Sequence, residues 1–99
     1  MKKKTVKQLL QHIKNQNFIL SQLTKPGFID LKTLSLKKWI DECHITNSEL
    51  AEVLGVSRIT IHAYRRGRQN PIKKTFDKIV KLSEGFIHSF EQMKDDYGS

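Results

Sequence analysis

The stretch that decides the fold of this 99-residue chain reads Asn47-Ser48-Glu49-Leu50-Ala51-Glu52-Val53-Leu54-Gly55-Val56-Ser57-Arg58-Ile59-Thr60-Ile61-His62-Ala63-Tyr64. Thr46, just before it, and Glu49 are spaced as in a capping box, which predicts the start of a helix. Gly55 supplies the left-handed residue that ends this helix. Ser57 is again a good N-cap. The stretch therefore predicts two short helices joined by a three-residue turn.

The two predicted helices need a shared apolar core and one small residue where they approach each other. Ala51 is that small residue, and Gly55 allows the positive φ of the turn. The side chains expected to form this core, with Gly55 at its turn, are Leu50, Ala51, Leu54, Val56, Ile61 and Tyr64. This is the layout of a helix-turn-helix.

The opposite face of the second helix is suited to the major groove of DNA. The residues expected to contact bases there are Arg58, Ile59, His62 and Ala63, with Thr60 at the flank. Arg58 can donate two hydrogen bonds to guanine, and Ile59 or Ala63 can contact a thymine methyl group. No acidic residue occurs between Ser57 and Gln69, so this face is compatible with phosphates.

Apolar spacing predicts two helices before this unit. The first extends from about Thr5 to Leu23, weakened at Asn15 to Asn17 and ended by Lys25-Pro26-Gly27. Its stripe is Val6, Leu9, Leu10, Ile13, Leu20 and Leu23. The next helix is capped by Ser35, and its stripe is Leu36, Trp39, Ile40 and Cys43.

Two more apolar stripes follow the unit. Asn70-Pro71 predicts the cap and first-position proline of another helix, which Gly85 closes and whose stripe is Phe76, Ile79, Val80 and Leu82. The last stripe predicts a C-terminal helix that forms either a dimer interface or part of the chain's own core, through Phe86, Ile87, Phe90 and Met93.

The sequence thus predicts an all-α fold, a compact bundle of four to five helices containing the helix-turn-helix, with an extra N-terminal helix. Residues 1–34 are expected to form a basic helical segment and linker. Residues 35–94 form the DNA-binding domain with its C-terminal helix, and residues 95–99 form a flexible tail.

The net charge of +8 is strongly segregated along the chain: residues 1–34 carry +6, and residues 57–81 carry +7 through eight Lys or Arg and one Asp. Nucleic acid is the commonest partner of such a block. A membrane surface is a weaker alternative because the basic residues do not form one face of an amphipathic helix. One cysteine, no signal-peptide core and no apolar run of membrane-spanning length predict a cytoplasmic chain.

The sequence offers little chemistry for an enzyme. It contains no glycine-rich phosphate loop, no Cys and His pairs at metal-ligand spacing and no nucleophile elbow. Cys43 and His44 are adjacent, so their side chains diverge at a helix end. We therefore expect no catalysis, no cofactor and no metal.

Residues 35–87 resemble the Cro and lambdoid-repressor (XRE-like) helix-turn-helix family. The matching features are Leu36 and Trp39, Ser48-Glu49-Leu50-Ala51, Leu54-Gly55-Val56-Ser57, Thr60-Ile61, Tyr64, Arg66-Gly67-Arg68, Pro71, and the Ile79/Leu82 helix. The resemblance implies a bundle that binds double-stranded operator DNA as a symmetric dimer.

The resemblance also implies contacts to the DNA backbone. With the neighbouring basic and polar positions, the residues expected to contact phosphates are Asn47, Ser57, Thr60, Arg65, Arg66, Arg68 and Lys73. Many relatives carry Gln in place of Arg58 and an acidic residue in place of Arg65, so their preferred base sequence does not transfer. Residues 1–34 lie outside the family pattern.

Two functions remain open from the sequence. The first is a transcriptional regulator, a repressor that occupies a near-palindromic operator with half-sites roughly 34 Å apart. The alternative is an antitoxin or adaptor that also holds a protein partner through the N-terminal helix. The candidate surface for that partner, which could instead pack on the chain's own bundle or a dimer mate, is Val6, Leu9, Leu10 and Ile13.

Overall fold

The fold is described for residues 4–23 and 34–97 of a computed structural model. Its elements are α1 (Val6–Leu23), α2 (Leu36–Glu42), α3 (Asn47–Leu54), α4 (Arg58–Arg65), α5 (Lys73–Leu82) and a 3₁₀ turn at Glu91–Met93. No strand occurs within these two ranges. The predicted all-α bundle with an extra N-terminal helix is confirmed, whereas the predicted linker and its Lys25-Pro26-Gly27 stop lie outside the described residues.

Helices α3 and α4 form the central pair of the fold. The Thr46 hydroxyl accepts from the Glu49 amide at 3.0 Å, and the Glu49 carboxylate accepts from the Thr46 amide at 2.9 Å, so the capping box is complete. Gly55 ends α3 with φ at +76°, and Ser57 caps α4 by accepting from the Thr60 amide. Local sequence therefore sets both boundaries of the turn.

The predicted core of this pair is buried, with Leu50 and Ile61 fully enclosed and Ala51, Leu54 and Tyr64 at most 3 % exposed. Val56 packs against the cluster from a partly buried position. Because the two helices share these side chains, α4 holds a fixed orientation on α3.

Helix α1 is continuous and packs on α3 and α5. Its buried positions are Leu9, Ile13, Asn17 and Leu20. Leu9 and Ile13 are therefore used within the chain, and the predicted partner stripe is reduced to Val6 and Leu10, which stay 39 % and 42 % exposed. Asn17 takes the buried position at which the apolar stripe of this helix is interrupted in the sequence.

The Asn17 amide joins α1 to two other helices. Its Oδ1 accepts from Trp39 Nε1 at 2.9 Å, and its Nδ2 donates to the Leu82 carbonyl at 2.8 Å. The Cys43 thiol also donates to Oδ1 at 3.6 Å. The predicted α2, capped by Ser35 and burying Leu36, Trp39, Ile40 and Cys43, is thus fixed against α1.

The start of α5 differs from the prediction. The helix begins at Lys73 after Ile72 in an extended conformation with no side-chain cap, so Asn70 is not its N-cap and Pro71 is not its first residue. Pro71 is buried.

The predicted C-terminal helix is wrong in kind, because the chain forms only the 3₁₀ turn there. Buried Gln92 explains this geometry. Its Nε2 donates to the Leu34 and Phe86 carbonyls, and its Oε1 accepts from the His88 and Ser89 amides. These bonds satisfy an irregular backbone that a helix would have satisfied by itself.

Candidate nucleic-acid interface

The outer face of α4 projects into solvent. Arg58, Ile59 and His62 are exposed, Ile59 at 76 %, whereas Ala63 is half-buried. A β-branched apolar side chain left this open on a helix whose other face is fully buried is available for contact with a ligand. The structure thus places three of the four predicted base-contacting residues on one free surface and Ala63 at its edge.

The N-terminus of α4 combines two hydroxyl groups. Ser57 Oγ and Thr60 Oγ1 are 2.9 Å apart, and Ser57 Oγ also accepts from the Thr60 amide at 3.1 Å. Two hydroxyls carry two protons and their mutual bond uses one, so one proton remains available for an acceptor. Together with the helix dipole, this suits the site to an anion.

The N-terminus of α3 carries Asn47, whose amide has two neighbours. Its Oδ1 accepts from Arg65 Nη1 at 3.0 Å, and its Nδ2 lies 3.5 Å from His62 Nε2. Asn47 therefore lies between the C-terminal end of α4 and its exposed face.

Arg65 is engaged within the protein, which sequence reasoning did not anticipate. Its Nε donates to Asp95 Oδ1 at 2.7 Å and its Nη2 to Asp95 Oδ2 at 3.3 Å, and the side chain is only 16 % exposed. A guanidinium already paired in this way is a poor phosphate ligand. The predicted role of Arg65 as a phosphate contact thus conflicts with its position in the structure.

The remaining cations predicted to contact phosphates, Arg66, Arg68 and Lys73, are all exposed. The backbone turns away from α4 between the two arginines, at Gly67, where φ is +73°. A Cβ there would also lie 3.3 Å from Lys94 Cε, so the turn passes close beneath the C-terminal segment. This basic edge is continuous with the exposed face of α4.

The predicted dimer stripe is mostly inside the protein. Phe86, Ile87 and Met93 are buried in the chain's own core, so they cannot line an interface while this fold is kept. Phe90 stays 44 % exposed, with its ring centroid 4.4 Å from that of Phe76. The apolar spacing of these residues came from core packing.

Asp95, the first residue of the expected flexible tail, is bonded to the end of α4. The Asp95 amide donates to the Arg65 carbonyl at 2.9 Å, in addition to the paired side chains. Sequence reasoning missed Asp95 because its partner lies 30 positions away. In the sequence, the only signal was that acidic residues, Asp95 among them, follow the basic block at residues 57–81.

The described residues do not bring together three or more His, Cys, Asp or Glu as a metal site would need. Burial, with a smaller effect of Glu42, raises the pKa of the Cys43 thiol to about 12, which leaves it protonated and poorly nucleophilic at neutral pH. Within the described ranges, no helix is long and apolar enough to span a membrane.

A comparison with family models finds that the model described as helix-turn-helix matches residues 36–85. This span contains α2 to α5 and both faces of α4. Helix α1 and the segment that carries Asp95 lie outside it. Neither a search of curated proteins nor a search of solved structures finds a match.

Proposed function

The chain belongs to the Cro- and lambdoid-repressor-like helix-turn-helix family of DNA-binding regulators, and from this premise we propose that it is a transcriptional repressor. It is a cytoplasmic protein that occupies a near-palindromic operator. Helix α4 reads the base edges in the major groove. The observation that carries the proposal is the exposed face of α4, with a free Arg58 and a 76 % exposed Ile59 on a helix anchored by a buried face.

Base recognition rests on three side chains of that face. Arg58 donates two hydrogen bonds to the O6 and N7 atoms of a guanine, and Ile59 contacts a thymine methyl group. His62, one turn further along, supplies a third polar or stacking contact, with Ala63 at the edge of the same surface.

Phosphate contacts set the register of α4 in the groove. Asn47 and the Ser57/Thr60 pair present donors at the N-termini of α3 and α4, where the helix dipoles favour an anion. Arg66, Arg68 and Lys73 supply exposed positive charge beyond the end of α4. Several such contacts make binding strongly dependent on salt.

A homodimer is part of the proposal because two copies place their α4 helices in successive major grooves, about 34 Å apart. Within the predicted dimer stripe of Phe86, Ile87, Phe90 and Met93, only Phe90 is exposed. We expect Phe90→Asp to lower the dimer fraction in sedimentation while circular dichroism stays unchanged. Unaltered sedimentation of a dimeric wild type would place the interface elsewhere.

The decisive experiment selects genomic fragments with the purified protein and titrates the recovered site at two salt concentrations. Arg58→Lys keeps the charge but loses the two-pronged contact with guanine. We expect it to weaken the operator at least 10-fold with an unchanged salt slope. Lys37→Ala, which removes an exposed charge from α2, is the matched control and leaves operator affinity within about twofold.

An enriched inverted repeat that loses affinity with Arg58→Lys supports operator recognition. If no sequence is enriched, or if binding to random duplex equals binding to the selected site, the proposal of a sequence-specific repressor is rejected.

The alternative function, an adaptor that also holds a protein through α1, is favoured by one groove. Leu10, Val53, Leu54 and Leu82 line an apolar depression of about 370 Å³ between α1, α3 and α5, and Lys78 and Lys81 lie at its rim. Its charge complements an acidic amphipathic helix, which would bury leucines in the groove and pair carboxylates with the two lysines.

A synthetic amphipathic peptide with leucines on one face and flanking glutamates tests this adaptor function. We expect binding that Leu10→Gln weakens and that Phe18→Gln, a change at an exposed residue of α1 outside the groove, leaves intact. Equal binding of a peptide with lysines in place of the glutamates, or no binding of either peptide, rejects the adaptor function.

A further inference from the structure

Arg65, the last residue of α4, pairs with Asp95, which lies outside the span that the family model matches. Two guanidinium nitrogens donate to the two carboxylate oxygens, at 2.7 and 3.3 Å. The Asp95 amide donates separately to the Arg65 carbonyl at 2.9 Å. The carboxylate therefore neutralises Arg65, while the backbone bond holds the segment in place independently of that charge.

The third contact of Arg65 fixes the orientation of Asn47. A guanidinium has donors and no acceptor, so the Asn47 atom that faces Nη1 at 3.0 Å must be the carbonyl oxygen. The amide NH₂ group is then the one that lies beside His62 on the exposed face of α4, with Nδ2 3.5 Å from His62 Nε2. An NH₂ group carries two N–H donors, so it can donate a hydrogen bond to a phosphate oxygen.

We propose that Asp95 is a positioning residue for DNA recognition, which withholds Arg65 from the phosphates so that Arg65 instead orients the Asn47 amide toward DNA. This inference rests on the proposed DNA binding. Asp95 touches no DNA in this arrangement. Arg65 acts as an internal strut between the C-terminal segment and the N-terminus of α3.

The pair also restrains the charge of the interface. Arg65, Arg66 and Gly67 form one side of a recess, and Lys94, Asp95 and Asp96 form the other. With Asp95 in place, one of the cations at the end of α4 contributes little to non-specific attraction. Operator and random duplex therefore differ more in affinity than they would with a free Arg65.

The test measures affinity for the selected operator and for a random duplex between 50 and 200 mM salt. In Asp95→Ala the freed Arg65 gains a phosphate contact, so the slope of log affinity against log salt steepens by about 0.9, an extra loss of about 3.5-fold over this range. Affinity for random duplex rises at low salt, and the operator-to-random ratio falls. In Asp95→Glu, which keeps the carboxylate, we expect the salt slope and the operator-to-random ratio to return to their wild-type values.

Two further variants separate the roles. Arg65→Ala leaves the salt slope at its wild-type value, because Arg65 contacts no phosphate, yet it lowers operator affinity through loss of the Asn47 orientation. Glu91→Ala removes one negative charge from the same C-terminal segment without touching the pair, and we expect wild-type behaviour. A slope that falls by about 0.9 in Arg65→Ala and is unchanged in Asp95→Ala overturns the inference.

A measurement without DNA distinguishes this inference from the proposed function. In ¹⁵N-resolved NMR spectra, Asp95→Ala should shift the side-chain NH₂ resonances of Asn47 and the Nε–H resonance of Arg65. Unmoved Asn47 resonances overturn the positioning role. If the wild type binds no duplex at all, the proposed function fails, and shifted resonances would then support only the strut.

Discussion

The side chain of Asn17 connects three helices, α1, α2 and α5, through its hydrogen bonds. Its replacement by alanine leaves Trp39 Nε1 and the Leu82 carbonyl without these partners, and each buried group left unsatisfied costs about 1–3 kcal/mol. We therefore expect Asn17→Ala to lower the free energy of unfolding by about 2–6 kcal/mol in urea titrations. Asn15→Ala, on the exposed side of α1, is the control and should stay within about 0.5 kcal/mol of the wild type.

Because of Cys43, the stability of the folded protein should decrease at alkaline pH. In the unfolded chain its thiol ionises near pH 9.0, whereas in the folded protein burial raises the pKa to about 12. Above pH 9 the unfolded state therefore releases a proton that the folded state keeps, and stability falls as pH rises, with a slope approaching about 1.4 kcal/mol per pH unit.

Urea titrations between pH 8 and 10 test this linkage. Burial also raises the pKa of Tyr64 from 10.0, so its effect adds only at higher pH. Cys43→Ala should abolish most of the slope between pH 9 and 10. An equal slope in this variant would show that Cys43 is not the titrating group.

At the scale of elements, the turn between α3 and α4 depends on one backbone conformation. Gly55 has φ at +76°, and a Cβ built there meets nothing within 4 Å. Gly55→Ala should therefore cost about 1 kcal/mol through backbone strain alone, without a clash. Gly55→Asn should cost less, because asparagine tolerates this region. Chemical denaturation of both variants checks the order, which a steric cause would reverse.

Helix boundaries were predictable where the determining contacts are local. The capping box at Thr46, the N-caps at Ser35 and Ser57 and the glycine at position 55 each act within four residues, so the sequence displays them directly. The start of α5 was not predictable in this way, since the burial of Pro71 depends on distant parts of the chain. Cap and proline signals alone placed that start too early.

The same distinction between local and distant contacts decides which parts of the candidate site were predictable. The exposed face of α4 follows from its own periodicity, because burial of Ile61 and Tyr64 turns Arg58, Ile59 and His62 outward. Asp95, which pairs with Arg65, lies 30 positions from it, and Leu34, whose carbonyl accepts from Gln92, lies 58 positions from Gln92. No periodic pattern links such positions. The 3₁₀ turn was mistaken for a helix because apolar spacing alone does not reveal which backbone groups a buried glutamine satisfies.

At the scale of the whole molecule, α1 is part of the core of the DNA-binding domain. Deletion of residues 1–23 would remove buried Leu9, Ile13 and Leu20, each worth about 1.5–3 kcal/mol, and the bonds of Asn17. This loss is comparable with the total stability of a small domain, about 5–15 kcal/mol. We expect the truncated chain to be largely unfolded by circular dichroism at 25 °C.

Deletion of residues 2–4 is the matched control for this truncation. It keeps Thr5, whose hydroxyl accepts from the Gln8 amide while the Gln8 side chain accepts from the Thr5 amide, so α1 retains its cap. This variant should unfold at the wild-type urea concentration. A stable helical fold in the longer deletion would show that residues 36–85 fold without α1.

The hydrogen bond from Trp39 to Asn17 makes the protein its own optical reporter. Trp39 is the only tryptophan, and its fully buried indole rests against α1. Its fluorescence maximum should therefore move to longer wavelength as soon as α1 detaches, whatever the remaining helices do. Stopped-flow emission, compared with far-ultraviolet ellipticity, can then time the docking of the N-terminal helix during refolding without any added dye.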